Sequence, residues 1–323
     1  MNSLNDLIVQ YNSCCSQLNF PEEPHNLYSA IRYFLEGGGK RIRPVLCLLG
    51  NELFGDIHQD SFHAGNAIEL FHNCSLVHDD IMDHSPLRRG KQTIHVKYNV
   101  PTAILTGDVL LVNAFQHISN VQEQYKQQIH ALFSATILQI CEGQQMDVDF
   151  EKMDLDQISF PDYLKMIILK TSVLLAASIK IGAIIGGADL QQQAYLYDFG
   201  KNLGIAFQIQ DDYLDAFGEP SVTGKQPGGD ILENKKTALL IKAWERSTSV
   251  QKKELLNAMS KNKGERVAAV LEIYKGCKVD EWATGKISQY TATAFNCLDM
   301  VDVPFKRKEN LLALTNKLLV RQS

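Results

Sequence analysis

The chain has 323 residues, 45% of them hydrophobic and 21% charged, with a net charge of -5. The length exceeds the roughly 100–200 residues usual for one domain, yet no linker, charge block or change of composition divides it, so residues 1–323 are expected to form a single domain. This composition excludes a disordered chain, and the mild negative charge excludes a whole-protein field that would draw it to nucleic acid or an anionic membrane.

Met1–Asn26 holds no Lys or Arg, so it lacks the positive start of a secretory signal, and export is not expected. Apolar residues then recur at helical spacing through Arg43–Phe54 and, more clearly, through Ser61–Met82, where Phe62, Ala64, Ile68, Phe71, Val77 and Ile81 lie on about six turns. Thr93–Val100 alternates Ile94, Val96, Tyr98 and Val100 like a short strand, but a strand without partners builds no sheet. Helical patterns resume at Ala103–Ile118, Ile129–Cys141, Tyr163–Ile185, Ala194–Phe217, Thr237–Ala243 and Asn310–Val320, punctuated by Gly37–Gly39, Pro101, Gly186–Gly187 and Gly228–Gly229. The most apolar region, Met166–Leu190, is interrupted by Lys170 and Lys180 and so predicts a buried helix, with no membrane span. Seven cysteines without a C-x-x-C pair argue for reduced thiols and a cytoplasmic protein. The expected architecture is an all-α bundle.

Two pentads carry the chemistry, Asp79-Asp80-Ile81-Met82-Asp83 and Asp211-Asp212-Tyr213-Leu214-Asp215. Residues four apart share a helix face, so Asp79 with Asp83, and Asp211 with Asp215, crowd like charges together. One such pentad alone reads equally well as a solvated acidic face. Two identical ones, each following a largely apolar helix, point to hard cations such as Mg²⁺, which take oxygen ligands and complete their shell with substrate phosphates. Complementary cations stand in Gly38-Gly39-Lys40-Arg41-Ile42-Arg43-Pro44, where glycines precede a helix start, and in Arg88-Arg89-Gly90-Lys91. Backbone without side chains approaches anions closely, and arginine grips phosphate oxygens in pairs, so two diphosphates are expected.

Taken together, Gly38–Pro44, His78–Asp83 with Leu87–Gly90, Gly143–Asp147, Lys170–Thr171 and Phe207–Asp215 resemble, in order, the motifs of the trans-prenyl diphosphate synthases, over about Gly38 to Lys235. The resemblance implies the isoprenoid synthase type of fold, long helices around a central apolar cavity, and a homodimer. It implies that Asp79, Asp80, Asp83, Asp211 and Asp212, supported by Asp215, bind three Mg²⁺ ions on an allylic diphosphate (dimethylallyl, geranyl or farnesyl). Arg88, Lys170, Lys225 and Lys235 would contact that same diphosphate. Lys40, Arg43, His72 and Arg89 would hold isopentenyl diphosphate, and His72 lies two turns before Asp79 on the same helix. Thr171 and Gln208 would face the reacting carbons, with Gln144 and Asp147 on the opposing helix, although helix-to-helix hydrogen bonding explains these polar residues equally well. The loop Gly218–Gly229 keeps Gly224-Lys225 but adds Pro220 and Pro227.

The implied reaction is head-to-tail condensation, in which diphosphate leaves, an allylic cation forms and isopentenyl diphosphate attacks it. A terpene cyclase is a rival, but its N-x-x-x-S-x-x-x-E motif fails here: Asn12 and Ser16 are followed by Phe20 where Glu is required. A non-catalytic partner subunit would need neither complete pentad. Product length is expected to depend on Ser75, Cys74 and Phe71. Ser75 and Phe71 lie about 6 Å and 12 Å before Asp79 along the helix. The small pair at 74 and 75 leaves the pocket open, and Phe71 closes it at the geranylgeranyl stage over farnesyl. If Phe71 is an ordinary core residue, longer polyprenyl products follow.

Overall fold

The protein is described by a computed structural model over residues 2–219 and 227–319. Helices α1 (Leu4–Cys15), α2 (His25–Leu35), α3 (Ile42–Glu52) and α4 (Gln59–Met82) precede a hairpin of β1 (Leu87–Arg88) and β2 (Lys91–Gln92). After it come α5 (Ile94–Lys97), α6 (Val100–Ser119), α7 (Glu123–Lys152), α8 (Phe160–Ile167), α9 (Val173–Ile185) and α10 (Leu190–Phe217). The remainder is α11 (Gly229–Leu232), α12 (Ala238–Arg246), α13 (Ser249–Met259), α14 (Lys263–Gly276), α15 (Val279–Asp299) and α16 (Phe305–Leu319). The class is all-α.

Local chemistry sets the ends of these helices. Asn99 caps α6 by accepting from the Thr102 amide, with Pro101 in the first turn, where its missing N–H costs nothing. Ser159 and Asp162 form a reciprocal capping box at α8, as do Thr248 and Gln251 at α13. The expected helix Tyr163–Ile185 is interrupted by a π-helical turn at Ile168–Ser172, which carries Lys170 and Thr171. Such turns insert one extra residue and gather at functional sites. Helix α7 runs well past the expected Cys141, because its polar second half, Glu142–Lys152, hides the apolar period. Thr93–Val100 contributes α5 in place of a strand, and the hairpin lies just before it. The stretch Phe160–Ile185 is long and apolar enough to cross a membrane by length and composition, at mean hydropathy 1.8, but 72% of its most apolar window is buried in the protein.

The described residues of Met1–Phe133, Ser178–Gln193 and Val303–Leu311 form one compact unit, and those of Ser134–Ala177, Ala194–Asp302 and Leu312–Ser323 a second. Four of the five divisions fall inside helices α7, α9, α10 and α16, and the fifth lies in the short connection after Asp302, which is why no linker is legible in the sequence. In the first unit Leu7, Ile31, Leu46, Ile68 and Leu70 are fully or almost fully buried. The second is built on Phe150, Met166, Ile209, Leu240, Leu255 and Tyr274.

Candidate active site

In the first unit the acidic pentad occupies the last turn of α4, and Asp83 is its C-terminal cap. This is the carbonyl end of the helix, where the dipole is negative and carboxylates are disfavoured. Three aspartates there are tolerable only with positive charge nearby. Their environments differ. Asp80 is buried at 1% exposure, and the Arg88 guanidinium grips it, with Nε 2.9 Å from both carboxylate oxygens and Nη2 2.8 Å from one. Burial pushes its carboxyl up and Arg88 pulls it back. Asp79 is half-buried and Asp83 exposed.

The basic motif before α3 divides its labour. Arg41 takes a left-handed conformation at the helix start (φ 51°) and turns inward to a buried ion pair with Glu69. Lys40 stays exposed. Arg43 Nη1 lies 3.2 Å from His72 Nε2, and burial pushes the Arg43 guanidinium down to about 10, partly offset by Glu69. Burial, with Arg43, Arg89 and Arg88 nearby, holds His72 well below its ordinary value. The ring is therefore neutral, and the geometry makes its Nε2 the acceptor of the arginine N–H. Arg89 sits at the tip of the hairpin with its guanidinium against Gly39, where a Cβ would stand 3.2 Å from both Nη atoms. Lys40, Arg43, His72 and Arg89 thus belong to one unit, and Arg89 reaches the loop that bears Lys40.

Within the same unit, Phe71 is 4% exposed, and its ring meets Phe133 edge-on at 6.0 Å between centroids. Phe133 in turn meets Phe115 at 5.5 Å. Cys74 is buried, and half-buried Ser75 donates its hydroxyl to the His72 carbonyl at 2.8 Å.

In the second unit the acidic pentad again lies near the carbonyl end of its helix, α10. Asp212 is the buried member, at 5% exposure. It accepts from Tyr163 Oη at 2.6 Å, the Ala238 amide at 2.9 Å and Gln208 Nε2 at 3.2 Å. Burial raises its carboxyl to about 6 despite these donors. Asp211 is exposed, and Asp215 accepts from the Asp230 amide at 2.9 Å. A cavity of ≈ 160 Å³ opens among Lys170, Thr171, Asp211, Asp212, Asp230 and Lys235. Lys170 Nζ is 2.6 Å from Asp147 of α7, and the Thr171 hydroxyl donates to Gln208 Oε1 at 3.3 Å, so a polar chain runs from Thr171 through Gln208 to Asp212. Gln144 is half-buried on α7. Lys235 lies 3.1 Å from Glu233 and 3.9 Å from Asp230. Lys225 lies outside the described residues.

Asp230 and Tyr163 join the site without having been foreseen. Burial first, then the charges of Asp212 and Asp215, raises Asp230 to about 8. Its signal was Gly228-Gly229 just before it, which brings the Asp230 backbone against Asp215. Tyr163 had none, because a buried aromatic in an apolar run looks like core. A carboxylate raised this far by its neighbours marks excess negative charge that a divalent cation would relieve. Among the described residues no three His, Cys, Asp or Glu side chains close a protein-only cage. A hard cation that keeps waters and takes substrate oxygens fits this donor set.

Residues 24–276 match the family described as Polyprenyl synthetase. The chain is 38% identical over 285 residues to a geranylgeranyl pyrophosphate synthase of Geoglobus acetivorans, covering 87% of this chain and 86% of that one. It is 38% identical over 325 residues to a geranylgeranyl diphosphate synthase of Sulfolobus acidocaldarius, covering 98% and 95%. A crystal structure of a geranylgeranyl pyrophosphate synthase superposes with a TM-score of 0.93 at 40% identity, covering 100% of both chains. Carrying both complete aspartate pentads and the basic motif, and matched over most of its length, the chain belongs to the polyprenyl synthetase family of prenyltransferases.

Proposed function

We propose that this enzyme condenses isopentenyl diphosphate head-to-tail with an allylic diphosphate and yields geranylgeranyl diphosphate. The observation that carries it is the pair of aspartate pentads at the carbonyl ends of α4 and α10, whose crowded negative charge bound cations would offset. Mg²⁺, when bound, supplies charge stabilisation to the departing diphosphate. Asp79, Asp83 and Asp211 are our candidates for direct ligands, with Asp215 in support. Asp80 and Asp212, which the resemblance adds to the ligands, are buried and held by protein donors, so we assign them to fixing Arg88 and the Tyr163–Gln208 frame.

The chain's own residues then divide the work. Arg88, Lys170 and Lys235 neutralise the allylic diphosphate as its bond to carbon breaks and it leaves with the electron pair. Lys225 would join them. Lys40, Arg43 and Arg89 hold isopentenyl diphosphate, and neutral His72 orients Arg43. The double bond of isopentenyl diphosphate attacks the allylic cation, forming the new carbon–carbon bond, and a proton passes to the released diphosphate. Thr171 and Gln208 present oxygens to the cationic carbons. Phe71, braced by Phe133 and Phe115, is the floor we assign to the growing chain, with small Ser75 above it. The Geoglobus and Sulfolobus relatives, both named geranylgeranyl synthases, support the same length.

A homodimer is part of this proposal, supported by the exposed apolar side chains Val100, Ile104, Leu105 and Val112 along α6. The odd cysteine set without C-x-x-C pairs supports a cytoplasmic setting. The test is release of inorganic diphosphate by the purified protein. Release is expected only when both substrates and Mg²⁺ are present, and release from the allylic substrate alone at the same rate would overturn the condensation.

A further inference from the structure

We propose that Tyr33 is a positioning residue for isopentenyl diphosphate, acting as the clamp that sets Arg89 against the Lys40 loop. The proposal rests on the assignment of Lys40 and Arg89 to that substrate. Arg89 stands on a weak element. The hairpin pairs only Leu87 with Gln92 and Arg88 with Lys91, and its two-residue turn, Arg89-Gly90, has φ of 53° and 76°. Both central residues are left-handed, as in a type I′ turn, which suits Gly90 but strains Arg89. A ladder of two residues per strand does not hold itself in water. Its geometry must come from outside.

Three ties supply it. At the base, the Thr93 hydroxyl donates to the Ser85 carbonyl at 2.8 Å. On β1, Arg88 is locked onto Asp80. On β2, the Tyr33 hydroxyl donates to the Gln92 carbonyl at 2.9 Å. Lys97 Nζ also lies 3.4 Å from the centre of the Tyr33 ring and Lys91 Nζ 5.5 Å from it, so two cations draw α5 and β2 onto α2. Helix α2 ends at Leu35 and leads directly into Gly37–Lys40. The Arg89 guanidinium rests on Gly39 in that loop. A cavity of ≈ 20 Å³ lies among Tyr33, Phe34, Gly37, Arg88, Arg89 and Lys91, between the hairpin and the end of α2. Tyr33 therefore ties the hairpin to the helix that precedes the other half of the pocket. Arg88 has its own anchor in Asp80, which insulates the allylic side from a loosened β2.

Tyr33→Phe tests this because it keeps the ring and both cations and removes only the hydroxyl. The KM for isopentenyl diphosphate is expected to rise about threefold to tenfold, the worth of one hydrogen bond, while the allylic KM stays at the parental value. Lys97→Met should raise the same KM, by less. The Tyr33→Phe/Arg89→Ala double variant should match Arg89→Ala alone, since a clamp that acts through Arg89 has nothing left to position. An unchanged KM for isopentenyl diphosphate in Tyr33→Phe, an equal rise for both substrates, or additive effects in the double variant would overturn the clamp. If Arg89→Ala itself leaves that KM at the parental value, the pocket assignment falls, and the clamp with it.

Discussion

Replacing Gly143 with alanine puts a methyl group where α7 crosses the π-turn that carries Lys170 and Thr171. Its Cβ would stand 2.3 Å from the Lys170 amide nitrogen, 2.7 Å from the Leu169 carbonyl carbon and 2.8 Å from Leu169 Cβ. Comfortable contact begins at about 3.5 Å, so the two segments must separate by about 1 Å. Two of the three obstructing atoms are backbone, and no rotamer relieves them. Overpacking of this kind costs about 1–3 kcal/mol of stability. Moving Lys170 and Thr171 by about 1 Å relative to the substrate is expected to lower kcat about a hundredfold. Diphosphate release at saturating substrates, with thermal unfolding in parallel, reads both effects. A variant with reduced Tm but parental kcat would show that the turn absorbs the methyl without moving its polar residues, and would refute the role given to their placement.

Asp79→Ala and Asp211→Ala should each lower turnover about a thousandfold, the loss of several kcal/mol of charge stabilisation, with helical circular dichroism unchanged. Near-parental turnover in either would remove that residue from the ligand set. Phe71→Ala should lengthen the product and Ser75→Phe shorten it, with Phe71→Ala also costing about 3–5 kcal/mol of stability. Chromatographed products identical to the parent's in both variants would place the floor on another helix. Asp230, raised from 3.8 to about 8, keeps its proton in the folded protein over a range where the unfolded chain has lost it. Metal-free stability should therefore fall as pH rises between these values, and Asp230→Asn should flatten that fall. Thermal unfolding in chelator at pH 5 and pH 8 checks this, and parallel pH profiles for variant and parent would contradict it.

The site was legible largely because its chemistry repeats locally. Twin pentads, a Gly-Gly-Lys-Arg run and Arg88-Arg89 are each visible within a few residues, and the structure puts Lys40, Arg43, His72 and Arg89 in one unit and Lys170, Thr171 and Gln208 together in the other. Contacts between distant, ordinary residues were not legible. Glu69 neutralises Arg41 across 28 positions, and Tyr163 reaches Asp212 across 49. Either residue, seen in a line of sequence, belongs to an amphipathic helix and no more. The second aspartate of each pentad is the instructive case, since spacing paired only the first with the last and the family resemblance alone added Asp80 and Asp212 to the ligands. One residue along a helix turns the side chain by about 100°, which points Asp80 and Asp212 away from the face shared by their neighbours and into the protein. On the fold, α4 was legible to its last residue because its apolar period is unbroken. The second half of α7 and helices α13 to α15 were not, because largely polar helices gain stability from tertiary packing that a periodicity count does not see.

Chain extension is decided by giving the purified protein isopentenyl diphosphate and Mg²⁺ with dimethylallyl, geranyl or farnesyl diphosphate in turn, then sizing the products. Linear, chain-extended diphosphates that stop at geranylgeranyl are expected from all three starters. A cyclised hydrocarbon, or no extension of any starter, would contradict it.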